Sequence, residues 1–358
     1  MSSRDNYIST AKGIGIILMV VGHTIESNFF CRFIYMFHMP LFFFCSGYFF
    51  EVPDSWYNCG QFVKRRIKGL YYPFVRWSII FLLLHNFFNY IHFYPADNDY
   101  YSYYNLSDYF CRMKSILITM TGQDKLLDPF WFLKELLLAS ILVCLLSTIV
   151  RKVTCKYVKI LLWIVLIALT VVTKPGELGL PVIWNLSIMF LSATFYYSGY
   201  IYREKENNCY YSLTGLFLCM AIVFSVVLIL NSSLDMLWYN AYSVLLYIPT
   251  ALVGVFMIIS LSYLIDSYSI RRFFYYIGKN TMIIFTLHLL AFKLVSAIIL
   301  FVFDFPMCYL GDTYVKENNH YFWLLYVVAG ICLPLLFQKY CGFAYGKIVC
   351  KMCKRKCS

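Results

Sequence analysis

The sequence predicts an all-α fold, a polytopic membrane helix bundle, and three observations predict it. Hydrophobic residues make up 61% of the 358 and charged residues only 13%, against roughly half and a quarter in soluble domains. Apolar runs recur along the chain at about 20 residues, the length a helix needs to cross a bilayer. Basic residues cluster in alternate connections, as they do when those connections face the cytoplasm.

Ten such segments are expected, near 13–30, 33–51, 71–92, 129–150, 158–173, 182–201, 211–231, 241–265, 276–303 and 320–342. With a cytoplasmic amino terminus, the inside connections carry 21 Lys and Arg, and the outside ones carry only Arg32, Arg112, Lys114, Lys125, Lys174 and Lys316. This asymmetry predicts that both termini are cytoplasmic. It also accounts for most of the formal charge of +12 without a nucleic-acid partner. The first span reads as an uncleaved anchor, since no small-residue cleavage pattern follows it. With no separate soluble domain visible, 1–358 is expected to be a single integral-membrane domain.

The longest connection, 93–128, is expected outside. It is Tyr-rich from Tyr94 to Tyr109, and Asp108 to Met120 has the apolar spacing of a helix lying on the membrane face. Its aromatic rings and Asp97, Asp99 and Asp108 suit a polyhydroxyl ligand, and equally an interfacial aromatic belt or a solvated loop. Asn105, Asn185 and Asn231 open glycosylation sequons, relevant only in a eukaryotic secretory pathway. Most of the fourteen cysteines lie in apolar runs and act there as small hydrophobes. Cys350 and Cys353 form one C-x-x-C, with Cys357 beyond it. No second pair or neighbouring histidine completes a four-ligand site, so no metal is expected.

The residues that suggest chemistry are histidines inside apolar runs. His23 lies in the run from Gly13 to Thr24, and His38 in Phe37-His38-Met39-Pro40-Leu41-Phe42-Phe43-Phe44-Cys45-Ser46-Gly47-Tyr48. At 1.5 Å per residue His23 is expected about 15 Å into its span and His38 roughly 8 Å below the outer edge. His288, ten residues after Gly278, is expected about 15 Å up the ninth span, level with His23. An ionisable group at such depth is a functional-site hypothesis by default. A neutral imidazole offers a lone pair able to take a proton from a hydroxyl. The alternative is a histidine bonding one helix to another. The basic group Lys64, Arg65, Arg66 and Lys68, in the first inside loop, is either a phosphate fork with Arg65 and Lys68 on one helix face or a topogenic cluster. Trp131, Lys134 and Glu135 open the fourth span as interfacial anchors or as part of an outward-facing site.

These residues resemble integral-membrane acyltransferase family 3, bacterial O-acyltransferases of surface sugars and related acceptors. The likeness is most specific from Lys12 through Thr24 and from Phe37 to Tyr48, and recurs in the basic loop with Pro73, in Trp131-Phe132-Leu133, and from Ile277 to Thr281 leading to His288. The resemblance implies an O-acetyltransferase in a bacterial inner (plasma) membrane. It would move an acyl group, acetyl being usual, from cytoplasmic acetyl-CoA to a hydroxyl of an extracytoplasmic sugar or polysaccharide. His23 then matches the family's catalytic histidine, His38 and His288 are further candidates, and Lys12, Arg65, Arg66 and Lys68 are implied on the CoA side. Two departures stand out: Ser9 where members commonly carry Asp, and Lys68 where the second arginine of the basic pair is usual, the other register placing Arg66 there. Lys is a point charge where Arg is a fork. The rival class is a proton-coupled transporter or flippase of a polysaccharide intermediate, which would show paired repeats with broken helices. A third reading is an assembly component that binds neither donor nor sugar.

Overall fold

The computed structural model describes residues 3–25, 29–95, 102–153, 156–174, 185–206, 211–230, 234–240, 242–316 and 319–356. Asp97, Asp99, Asn231 and Cys357 lie outside these residues, as do the side chains of Asn185, Cys350 and Cys353. Every regular element described is helical. In chain order these are α1 (Ser3–Gly22), α2 (Phe29–Tyr35), α3 (His38–Tyr48), α4 (Trp56–Arg66), α5 (Tyr72–Tyr90), α6 (Leu106–Thr119), α7 (Trp131–Val150) and α8 (Lys156–Val172). They continue as α9 (Asn185–Lys205), α10 (Leu213–Leu230), α11 (Ser243–Leu264), α12 (Arg271–Lys279), α13 (Thr281–Phe303) and α14 (Asn319–Lys356).

Seven helical segments among the described residues are long and apolar enough to cross a membrane, and the apolar parts of α1 and α8 are shorter. Their outer faces confirm the solvent they need. Ile229 is 81% exposed and Phe301 88%, and rows of such side chains on α10 and α13 face hydrocarbon at no cost, whereas water would penalise them. The chain is therefore a multi-pass membrane protein.

Several boundaries differ from the sequence expectation, each for a physical reason. The first helix starts ten residues before Gly13 and ends at Gly22, so His23 follows its last turn instead of lying mid-span. Asn6 to Lys12 is helical although weakly apolar because α12 covers it: a Cβ on Gly13 would lie 2.0 Å from the Phe274 carbonyl oxygen, and one on Gly278 1.8 Å from that of Ser9. The second span is broken at Met36 and Phe37. Pro40 sits in the first turn of α3, where its missing N–H is no loss. The ninth is broken at Asn280 into α12 and α13. The basic group lies on helix, not in a loop, because α4 runs through a π-helical turn, Ile67–Tyr71, straight into α5. The surface helix expected over 108–120 is present as α6, opened by a capping box between Asn105 and Asp108.

Helix α1 is central, packing on α2, α3, α11, α12, α13 and α14. Helix α3 packs along α9 through a second glycine crossing, Gly47 against Tyr196 and Gly199 against Phe44. Small residues let membrane helices approach to backbone contact.

Candidate functional site

The structure brings His23, His38 and His288 to one place. His23 hangs in the turn after α1, His38 opens α3, and His288 lies two turns into α13. The His23 and His288 rings are 5.3 Å apart between centres. Tyr35 lies between the other two, 6.3 Å from His23 and 4.9 Å from His38. Gly22 makes this possible, since its lack of a side chain admits the Tyr35 ring, whose hydroxyl donates to the Gly22 carbonyl at 3.1 Å. The His38 Nδ1 faces the Ile34 carbonyl at 3.0 Å. A carbonyl only accepts, so that nitrogen carries the hydrogen.

Two cavities meet at His23. The larger, about 410 Å³, is bounded by His23, Asp128, Trp131, Lys134, Glu135 and Lys293 together with the connections before α7 and after α13. The smaller, about 230 Å³, lies between His23, Tyr35, His38, Trp131 and Asp235. His288 borders neither. Of the three histidines, His23 is the one half-buried, while His38 is 6% and His288 1% exposed. Trp131 is thus a wall of both cavities as well as a residue at the start of a span. Glu135 is 3% exposed, and its Oε2 has no hydrogen-bond partner among the described residues. Burial pushes the Asp235 carboxyl above its ordinary range, partly offset by the backbone N–H groups of Trp238 and Leu237.

Four residues that hold this site were not singled out from sequence. Lys293, in mid-α13, donates to the carbonyls of Leu310 at 2.8 Å, Gly311 at 2.9 Å and Asp312 at 2.6 Å, fixing the chain that forms one cavity wall. His85, fully buried in α5, ties down the opposite wall: its Nδ1 meets Asp124 Oδ2 at 3.1 Å, and its Nε2 donates to the Ser102 carbonyl at 3.2 Å. Tyr94 donates to the same Asp124 oxygen at 2.5 Å. The signal was present for two of them. Lys293 and His85 are single ionisable residues in apolar runs, as His23 is; Asp124 and Asp235 sit in connections and carry no such mark.

The basic residues lie at the other end of the bundle. Lys12 is within electrostatic reach of Cys45 on α3 and Lys279 on α12. Arg66 turns inward, donating to Ser46 Oγ at 3.0 Å and Tyr196 OH at 2.6 Å with its guanidinium over the Phe62 and Tyr196 rings. Arg65 and Lys68 are exposed. The expected cluster is therefore divided, with Arg66 held between α3 and α9 and the other two free to meet an anion. Counting residues along three helices, Lys12 to His23, His38 to Ser46 and Lys279 to His288, places this basic level roughly 12–16 Å from the histidines.

A cavity thus reaches the His23 imidazole at one end of α1, and Lys12 lies near the other end of the same helix. No curated protein and no solved structure matches the chain. The family model described as an acyltransferase domain matches residues 5–339, which includes every residue placed above, and the chain belongs to acyltransferase family 3.

Proposed function

We propose that this chain is an O-acyltransferase that moves an acyl group, acetyl in the first instance, from cytoplasmic acyl-CoA to a hydroxyl of an extracytoplasmic sugar or glycan. His23 acts as the general base. The observation that carries the reading is His23 itself, at the meeting point of two cavities at the end of α1 opposite Lys12. Both termini lie in the cytoplasm of a bacterial cell, about ten segments span its inner membrane, and the basic level faces inward.

Arg65 and Lys68, with Lys12 nearby, take the phosphates of acetyl-CoA, which enters as substrate. Its pantetheine arm extends along α1 towards the histidines. The acceptor occupies the larger cavity, where Trp131 offers an aromatic face and the unpartnered Glu135 oxygen accepts from a second hydroxyl. His23 takes the proton of the attacking hydroxyl as its oxygen bonds to the thioester carbonyl carbon. The carbon–sulfur bond then breaks, and the CoA thiolate leaves with that proton. The carrier reading drew on intramembrane histidines in about ten spans and would show paired repeats with broken helices; breaks are present at Met36–Phe37 and Asn280. Family membership favours group transfer, with the breaks serving to expose side chains to a cavity.

The test is transfer of labelled acetyl from acetyl-CoA by purified protein in nanodiscs, with a panel of methyl glycosides as acceptors. His23→Ala should lower kcat by about 10²-fold or more, and Arg65→Ala with Lys68→Ala should raise the KM for acetyl-CoA. Full transfer by folded His23→Ala protein would remove the proposed base.

A further inference from the structure

His288 is held in one orientation by its own helix. Its Nδ1 faces the carbonyls of Ile284 at 3.1 Å and Phe285 at 3.0 Å. Both partners only accept, so the hydrogen of the neutral ring is on Nδ1 and Nε2 is a bare lone pair. That Nε2 is buried with no hydrogen-bond partner among the described residues. An orphan buried acceptor beside a functional site calls for an explanation. On one side stands the edge of the apolar Phe292 ring, 5.8 Å away. On another is His23, at 5.3 Å between ring centres with the planes inclined by 36°. A hydrogen bond of about 3 Å between two ring nitrogens, each about 1 Å from its ring centre, sets the centres about 5 Å apart.

We propose that His288 is the positioning partner of His23: with a turn of the His23 ring about its side-chain bonds, the unpartnered His288 Nε2 accepts the N–H of one His23 nitrogen and thereby leaves the other His23 nitrogen as a lone pair facing the cavity. This rests on the acyl-transfer reading above. Which nitrogen of an imidazole is basic is set by the bond the other makes. His288 borders neither cavity, so it acts through His23 and not on the acceptor. When His23 takes the acceptor's proton, the N–H towards His288 remains bonded and helps hold the new charge, the part a carboxylate plays behind the histidine of a hydrolase triad. His38 is not placed for it, because Tyr35 packs on its ring.

Two substitutions separate this role from packing. His288→Gln puts an amide oxygen at the Nε2 position, whereas His288→Asn puts its amide at the Nδ1 position and keeps only the backbone contact. Release of CoA from acetyl-CoA, with the same methyl glycosides, should show kcat reduced about 100-fold in His288→Asn at unchanged KM, and restored to within about tenfold of wild type in His288→Gln. In protein labelled with [¹⁵N]histidine and carrying no substitution, a nitrogen–nitrogen coupling across the bond should connect the His23 and His288 rings. Wild-type kcat in His288→Asn, equal impairment of both variants, or no such coupling would each overturn the inference while leaving the acyl-transfer reading standing. Wild-type protein that transfers no acetyl group would overturn both.

Discussion

Replacing Lys293 by Met should loosen one wall of the larger cavity without unravelling the bundle. Lys293 is 3% exposed and spends all three ammonium hydrogens on the carbonyls of Leu310, Gly311 and Asp312. Hydrogen bonds from a charged donor contribute about 1.5–3 kcal/mol each, so the three together give about 4.5–9 kcal/mol. Against this stands the cost of a lysine at the middle of a spanning helix, about 2.5–3.5 kcal/mol on insertion scales. Met avoids that cost, and the net loss is about 1–6.5 kcal/mol. The loss is local: it falls on the 3₁₀ turn Met307–Gly311, whose Gly311 is pressed against the Tyr94–Pro95 backbone. Hydrogen–deuterium exchange of the purified protein is the direct assay. Amides of 307–313 should lose protection by at least about 5-fold, as 1 kcal/mol requires, while the α1 amides stay unchanged and Lys293→Arg retains most of the protection. Unaltered exchange in 307–313 would refute the reasoning, because it would mean that the three bonds only offset the buried charge.

Gly13→Leu should prevent α1 and α12 from meeting and sharply lower the yield of folded protein, whereas Gly60→Ala, whose Cβ meets nothing within 4 Å, should be silent; fluorescence size-exclusion profiles compare them. Asp235 should make stability fall as pH rises. Its carboxyl is held above its ordinary value by burial, so the stabilisation from its proton is complete below that ordinary value and is lost as pH climbs through the folded pKa. Thermal unfolding across this acidic range should therefore be flatter in Asp235→Asn, and an equal slope in both proteins would count against it.

The composition made the fold class plain, and charged groups in apolar runs made the histidines visible. What could not be read was where helices stop. A window of hydropathy sees Asn6 and Lys12 as loop, yet that stretch is helical because Gly13 and Gly278 bring α12 against it. Likewise the run from Phe33 to Tyr48 is apolar apart from His38 and Ser46, and only Pro40 hints that a new helix begins there. The basic group was visible as charge, but the inward turn of Arg66 depends on Ser46 and Tyr196, far away in sequence. The cavity lies further still from sequence, since Lys293, His85 and Asp124 acquire their roles only from connections folded back over the bundle.

The two glycine crossings have a mechanical consequence. Where α1 meets α12 and α3 meets α9, the gap between backbones is smaller than a methyl group, so neither pair can slide lengthwise without driving carbonyl into chain. The helices that bear Lys12, Lys279, Ser46 and Tyr196 thus form a fixed frame. Arg65 and Lys68 ride on a different part, the continuous rod of α4, the π-helical turn and α5, whose apolar window is only 22% buried. Arg66, at the end of α4 in that rod, ties it to the frame through Ser46 and Tyr196, so the cations at this end of the molecule keep a set spacing from the helices that carry the histidines.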